Sequence, residues 1–166
     1  GGIPRMLQLY LKALCELDRG LVAAEVAEAY RERFPQSGVL HHQRGLAYYL
    51  AGRPKAAVEE AFFSATECDC AGGNMGLALL AFSAKRTECA VELLNNAETG
   101  EPELEHIRQL MMAQAHMGRD ELSLAEARLR DADRVLRSQP SLLRQFWGQL
   151  CWARLMRTRG SFEGAL

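Results

Sequence analysis

Few residues in this sequence have both the type and the spacing for chemistry. His41-His42 and Cys68-x-Cys70 are metal-ligand types. A Cys-x-Cys pair is a poorer clamp than the wider cysteine spacing of structural zinc sites, and adjacent helical residues project about 100° apart. Gly72-Gly73-Asn74-Met75-Gly76 has the glycine density of a phosphate loop. No strand pattern precedes it and no Lys-Ser/Thr follows, so it reads as a flexible junction. The acidic pairs Glu59-Glu60 and Glu103/Glu105 stand beside Lys and Arg on polar helix faces. No His-Glu-x-x-His, no Gly-x-Ser-x-Gly and no Cys/His pair with an orienting group is present. The sequence therefore offers no catalytic residue, no metal ligand and no cofactor, and the expectation is a protein that is not an enzyme.

Those residues must be positioned by helices. Ala, Leu, Glu, Arg and Gln dominate, and runs of alternating β-branched residues are absent. Breakers recur at Gly20, Pro35 with Gly38, Gly52 with Pro54, Gly72-Gly73, Gly100 with Pro102, Gly118, Pro140 and Gly160. Between them lie segments with apolar residues at helical spacing, which predicts about nine or ten antiparallel helices. The 166 residues are 48% apolar and 25% charged with a net charge of −1, which gives no basic or acidic bias toward nucleic acid or a membrane surface. Apolar stretches such as 75–84 are far shorter than the roughly 20 residues of a membrane span. The five cysteines are scattered, and Cys15, Cys89 and Cys151 fall within apolar helical patterns. There a thiol acts as a small hydrophobe, so the expectation is a reducing, cytoplasmic setting.

The strongest unit runs from Ser37 to about Ala71. One helix is expected over Val39–Ala51 and a second over Pro54–Thr66, with Gly52 in the turn and Pro54 in the first turn of the second helix. Gly45 and Ala57 leave room for close helix approach, while Leu40, Tyr48 and Phe62 fill the space between. Gly45, Tyr48, Gly52, Ala57 and Ser64 stand at the spacing of the tetratricopeptide repeat, with His41 where that pattern has an aromatic. The sequence resembles that family. The frame extends upstream through Leu11, Leu14, Ala23, Ala27, Tyr30 and Pro35, with Asp18-Arg19-Gly20 as the turn. Downstream, Ala90-Val91 follows Ala57-Val58 by 33 residues, Ala97 is the next small residue, and Gly118 follows Gly52 by 66. The units are then about 4–37, 38–70, 71–104, 105–145 and a partial 146–166, in a single domain from residue 3 to 166.

The resemblance implies an all-α, right-handed superhelical solenoid whose concave face is lined by the first helix of each unit. On that pattern the partner-binding residues are Lys12 (with Gln8), then His42, Leu46 and Tyr49. Met75, Leu79 and Phe82 follow, then Arg108, Met112 and His116. Such a groove implies a protein-interaction scaffold that takes a peptide or helical segment of another protein. The family's Lys/Asn/Arg set for gripping a terminal carboxylate is missing, since Leu46 and Leu79 stand where Asn is needed.

Gly160, Phe162 and Ala165 repeat the places of Gly52, Pro54 and Ala57, and the sequence then stops at Leu166. Together with the Gly1-Gly2 start, this predicts a piece of a longer chain, with contacts to further C-terminal repeats. The 42 residues from Gly118 to Gly160 are similar to the longer repeats of MalT-like bacterial transcriptional regulators. A regulatory, effector-sensing segment is therefore a second expectation, and a secretion or assembly chaperone a third. Arg144, Arg154, Arg157 and Arg159 read as a basic patch, and Trp147 and Trp152 as packing residues of the last hairpin. Neither a membrane nor a nucleic-acid partner is expected.

Overall fold

The computed structural model describes residues 3–160, and among them every regular element is a helix. In chain order these are α1 (Arg5–Glu16), α2 (Gly20–Arg31), α3 (Gly38–Leu50), α4 (Lys55–Glu67) and α5 (Ala71–Ser83). They are followed by α6 (Thr87–Asn95), α7 (Pro102–Gly118), α8 (Leu122–Ser138) and α9 (Leu142–Thr158). The chain divides into two compact units, one up to Ala84 and one from Lys85. In the first, α3 packs on α1, α2, α4 and α5; in the second, α7 packs on α6, α8 and α9.

The helices end in a recurrent way. Residues Asp18, Gly52, Asp69 and Asp120 have φ between 53° and 65°. At each, two backbone N–H groups turn back onto the last carbonyls of the helix. After α3, for example, Gly52 N reaches Tyr49 O at 3.2 Å and Arg53 N reaches Tyr48 O at 3.0 Å. These bonds satisfy carbonyls that a helix end otherwise leaves unpaired. Asp tolerates the left-handed region because its short polar side chain bonds locally. Five residues after three of these turns comes a small residue, Ala23, Ala57 or Ala125, and Ala23 and Ala125 have no exposure.

Three expectations are corrected here. Gly118 is not in a turn: it closes α7, and the left-handed residue is Asp120. The interval to Gly160 is then 40 residues, from 120 to 160, rather than 42. Pro54 precedes α4 instead of occupying its first turn, with φ −52° and ψ 138°, much as Pro4, with φ −54° and ψ 136°, precedes α1. Gly72, Gly73 and Gly76 are not a flexible junction but part of α5. Each such glycine costs about 1 kcal/mol of helix propensity, and packing offsets it. A Cβ on Gly73 would lie 2.6 Å from Thr66 N, and one on Gly72 would lie 2.7 Å from the His42 ring. Gly45 and Gly76 form a socket for the fully buried Phe62 ring, and a Cβ on Gly45 would stand 2.5 Å from it. Phe162 and Ala165, the other members of the last turn signature, lie outside the described residues.

Candidate partner-binding surface

Short turns reverse the chain between consecutive packed helices, so α1, α3 and α5 run in one sense, with α3 between the other two. One stripe of α3 carries His42, Leu46 and Tyr49 at helical spacing. Tyr49 is 41% exposed, whereas His42 and Leu46 are half-buried, Leu46 against the Val58–Phe62–Leu80 cluster. Leu79 and Phe82 on α5 and Lys12 and Gln8 on α1 are likewise half-buried, and Met75 is buried. Lys12 Nζ lies 4.0 Å from the Glu16 carboxylate. The first unit thus brings adjacent helices of the predicted surface together, with Tyr49 its most prominent side chain.

His42 is shaped by that packing. Its ring sits over Gly72, with its centroid 6.1 Å from that of Phe62. Burial lowers its pKa to about 4, against the opposing effect of a hydrogen bond with the Gly72 backbone. A neutral imidazole on an apolar floor donates and accepts, but carries no charge at neutral pH. His41 is turned inward, with Nε2 2.8 Å from Pro35 O.

Arg108, Met112 and His116 in the second unit are interior residues. Arg108 grips Glu105 with two N–H bonds of 2.8 Å and gives a third, of 3.2 Å, to Leu94 O. Gln109 adds a bond of 2.6 Å to the same carboxylate. Burial alone would raise the Glu105 carboxyl, but the bonds from Arg108 and Gln109 outweigh it and hold the pKa below the usual range. His116 Nδ1 meets Glu121 at 2.7 Å, and Met112 is 2% exposed. These three side chains fasten α7 to its surroundings.

Sequence reasoning missed a groove of about 550 Å³ beside α2, lined by Ala24, Glu25, Glu28, Tyr48, Arg53, Pro54 and Ala57. Behind it lies Arg44, whose guanidinium is buried, stands 5.8 Å over the Tyr48 ring and donates to Glu60 at 2.9 Å. The Tyr48 hydroxyl donates to Glu28. Burial first, then that bond, pushes Tyr48 up to about 12. A phenol so far from neutrality is no general base, and the groove offers carboxylate acceptors over a floor of alanine.

The predicted basic patch also divides. Arg159 pairs with Glu126 at 2.6 Å and Arg144 is half-buried, whereas Arg154 and Arg157 are exposed. The two tryptophans part as well. Trp152 packs on the second unit's core and donates to Asp133 at 3.0 Å, while Trp147 is 44% exposed. Trp147 belongs to an outward stripe of α9 with Leu142, Leu143, Phe146 and Leu150, each at least 49% exposed.

All five cysteines are free thiols. Among the described residues no helix is long and apolar enough to cross a membrane. No family model, curated protein or solved structure matches the chain.

Proposed function

We propose that this chain is a tetratricopeptide-like repeat protein that forms a right-handed solenoid and acts as a protein-interaction scaffold. Its ligand is an extended or helical segment of another protein, held through apolar anchors by the face that His42, Leu46 and Tyr49 share. The observation that carries this reading is Tyr49: a large amphipathic side chain left exposed on the same stripe as half-buried, uncharged His42 and Leu46. Aromatic residues so placed contribute most to recognition for the least ordering entropy. The recurrent left-handed caps and the small residues that follow them support the repeat assignment. A cytoplasmic setting is part of the proposal.

The test is selection of peptides from a random display library, followed by affinity measurement on Tyr49→Glu and on Tyr49→Glu/Phe82→Glu. The parent is expected to enrich peptides with aliphatic or aromatic anchors, and the double variant to lose at least tenfold in affinity while keeping its helical circular dichroism. Peptides that bind parent and double variant equally would place the working surface elsewhere.

A further inference from the structure

The first and last described helices carry exposed apolar stripes. On α1 the outward residues are Met6, Leu9, Tyr10, Ala13 and Leu17; Met6 is 77% exposed and Leu17 71%. They follow the i, i+3, i+4, i+7 spacing of a helix face that seeks a partner. On α9 the stripe begins at Leu142, 87% exposed, and runs through Phe146 to Leu150. Scattered exposed apolar residues need no explanation, but contiguous stripes of this kind mark contact surfaces.

We propose that the stripe on α1 of one copy docks on the stripe on α9 of a second copy, forming a head-to-tail contact. Spacing is the first argument. Met6, Leu9, Tyr10 and Ala13 stand at i, i+3, i+4 and i+7, and exposed Leu143, Phe146, Trp147 and Leu150 stand at the same intervals, so parallel helices keep them in step. A small residue, Ala13, then faces the bulk of Leu150. Charge is the second. In that parallel register, exposed Glu16 and Asp18 at the end of α1 fall beside exposed Arg154 and Arg157 at the end of α9. Pairing α9 with another α9 would instead set two purely basic helices against each other, because each carries Arg144, Arg154 and Arg157 and no acidic residue. Precedent within the molecule is the third: α1 already packs on α3, and α7 on α9, as alternate helices running in one sense. The intermolecular contact repeats that arrangement.

Two single variants and their mixture test the inference. Tyr10→Glu blocks the α1 stripe and Phe146→Glu the α9 stripe; these side chains are 52% and 58% exposed, so neither change enters a core. In sedimentation equilibrium the parent is expected to gain mass as concentration rises, and each variant to stay at the mass of one chain. An equimolar mixture of the two should form a dimer, since each retains the stripe the other lacks. The doubly substituted chain should join neither. Arg154→Glu should weaken parent association several-fold, and Glu16→Arg in the same chain should restore it. A parent that stays monomeric overturns the proposal, as does a mixture that does not associate. A Tyr10→Glu variant that still self-associates also overturns it, because α9 would then be pairing with itself or with another surface.

Discussion

The two units bring their helices together by different physical means. Up to Ala84 the contacts are made by backbone approach: Gly45, Gly72, Gly73 and Gly76 open sockets that Phe62, His42 and Thr66 fill. From Lys85 onward the helices α7, α8 and α9 are 17 residues each and meet through alanines and leucines such as Ala113, Ala125, Ala132 and Leu129. Polar groups then clasp them. His106, fully buried, faces Ala132 O at 3.0 Å and Arg144 O at 3.3 Å, and Trp152 reaches Asp133. A socket fixes position through shape and rejects added volume. A clasp fixes it through partners and suffers most when one is removed. The comparison predicts which substitutions each unit will resist.

The largest expected effect is in the socket. Phe62→Ala empties a site closed by two helices and should cost about 3–5 kcal/mol. The check is the urea midpoint of far-UV circular dichroism. Tryptophan fluorescence provides a reporter for the second unit alone, because both tryptophans lie there. A loss below about 1 kcal/mol would mean that the sockets collapse readily, and the contrast between units would fail.

Acid should strike the two units in different pH windows. The folded-state pKa of His42 is about 4 against an ordinary 6.5, so the unfolded chain takes up the proton first. Its contribution is complete above 6.5 and is lost as pH falls toward 4, on the order of 3 kcal/mol in all. His42→Phe should flatten stability over that window. The Glu105 carboxyl, lowered in the folded state, contributes above the usual carboxylate range and loses that contribution only at lower pH. An unchanged stability slope between pH 7 and 4.5 in His42→Phe would show that the imidazole over Gly72 is not excluded from water.

Removing a cation sharpens the same contrast. Arg108 and its partner Glu105 are both largely shielded, with side chains 9% and 21% exposed. Arg108→Met strands that carboxylate and should cost about 2–3 kcal/mol. Arg44 is more deeply buried, at 1%, yet its partners Glu28 and Glu60 are 39% and 61% exposed. They return to water when it is removed, so Arg44→Met should stay within about 1 kcal/mol of the parent. Equal losses by urea denaturation would show that burial of the cation, rather than of its partners, sets the cost.

Much of this was legible in the residues. Local signals placed the α1–α2 and α3–α4 turns at Asp18 and Gly52, and the Gly45–Phe62 approach followed from one absent side chain opposite one large one. The turn after α7 was misplaced because Gly118 carries the familiar signature, while the left-handed residue is Asp120, a type that tolerates that region. Gly72–Gly76 read as a junction because local propensity disfavours helix there, and only contacts with α3 and α4 overrule it. Interior placement of Arg108 and His116 was hidden for a similar reason. A charged or polar residue at helical spacing reads as surface unless its partner is known. Arg44 finds Glu60 16 residues away, and His106 finds Arg144 38 residues away. No short motif records such distances.

The smallest expected effect is the most discriminating, because one substitution should change sign between the units. Replacing a mid-helix glycine by alanine adds about 1 kcal/mol of helix propensity and narrows the unfolded ensemble. At Gly148, buried in α9, the new Cβ would find its nearest neighbour, Asp133 Oδ1, at 3.9 Å, an ordinary contact. Gly148→Ala should therefore stabilise the second unit by up to about 1 kcal/mol, or roughly 2–4 °C in melting temperature for a chain of this size. At Gly45 the same Cβ would stand 2.5 Å from two atoms of the Phe62 ring, which is fully buried and cannot swing away. There the propensity gain is overrun by overpacking, and the net cost should be about 1–3 kcal/mol. Combining Gly45→Ala with Phe62→Leu should recover part of that loss, since a smaller side chain vacates the socket. If both alanine variants were stabilised, the glycines of the first unit would not be required by close approach. If both were destabilised, α9 would be packed as tightly as α3, and a single packing rule would serve the whole chain.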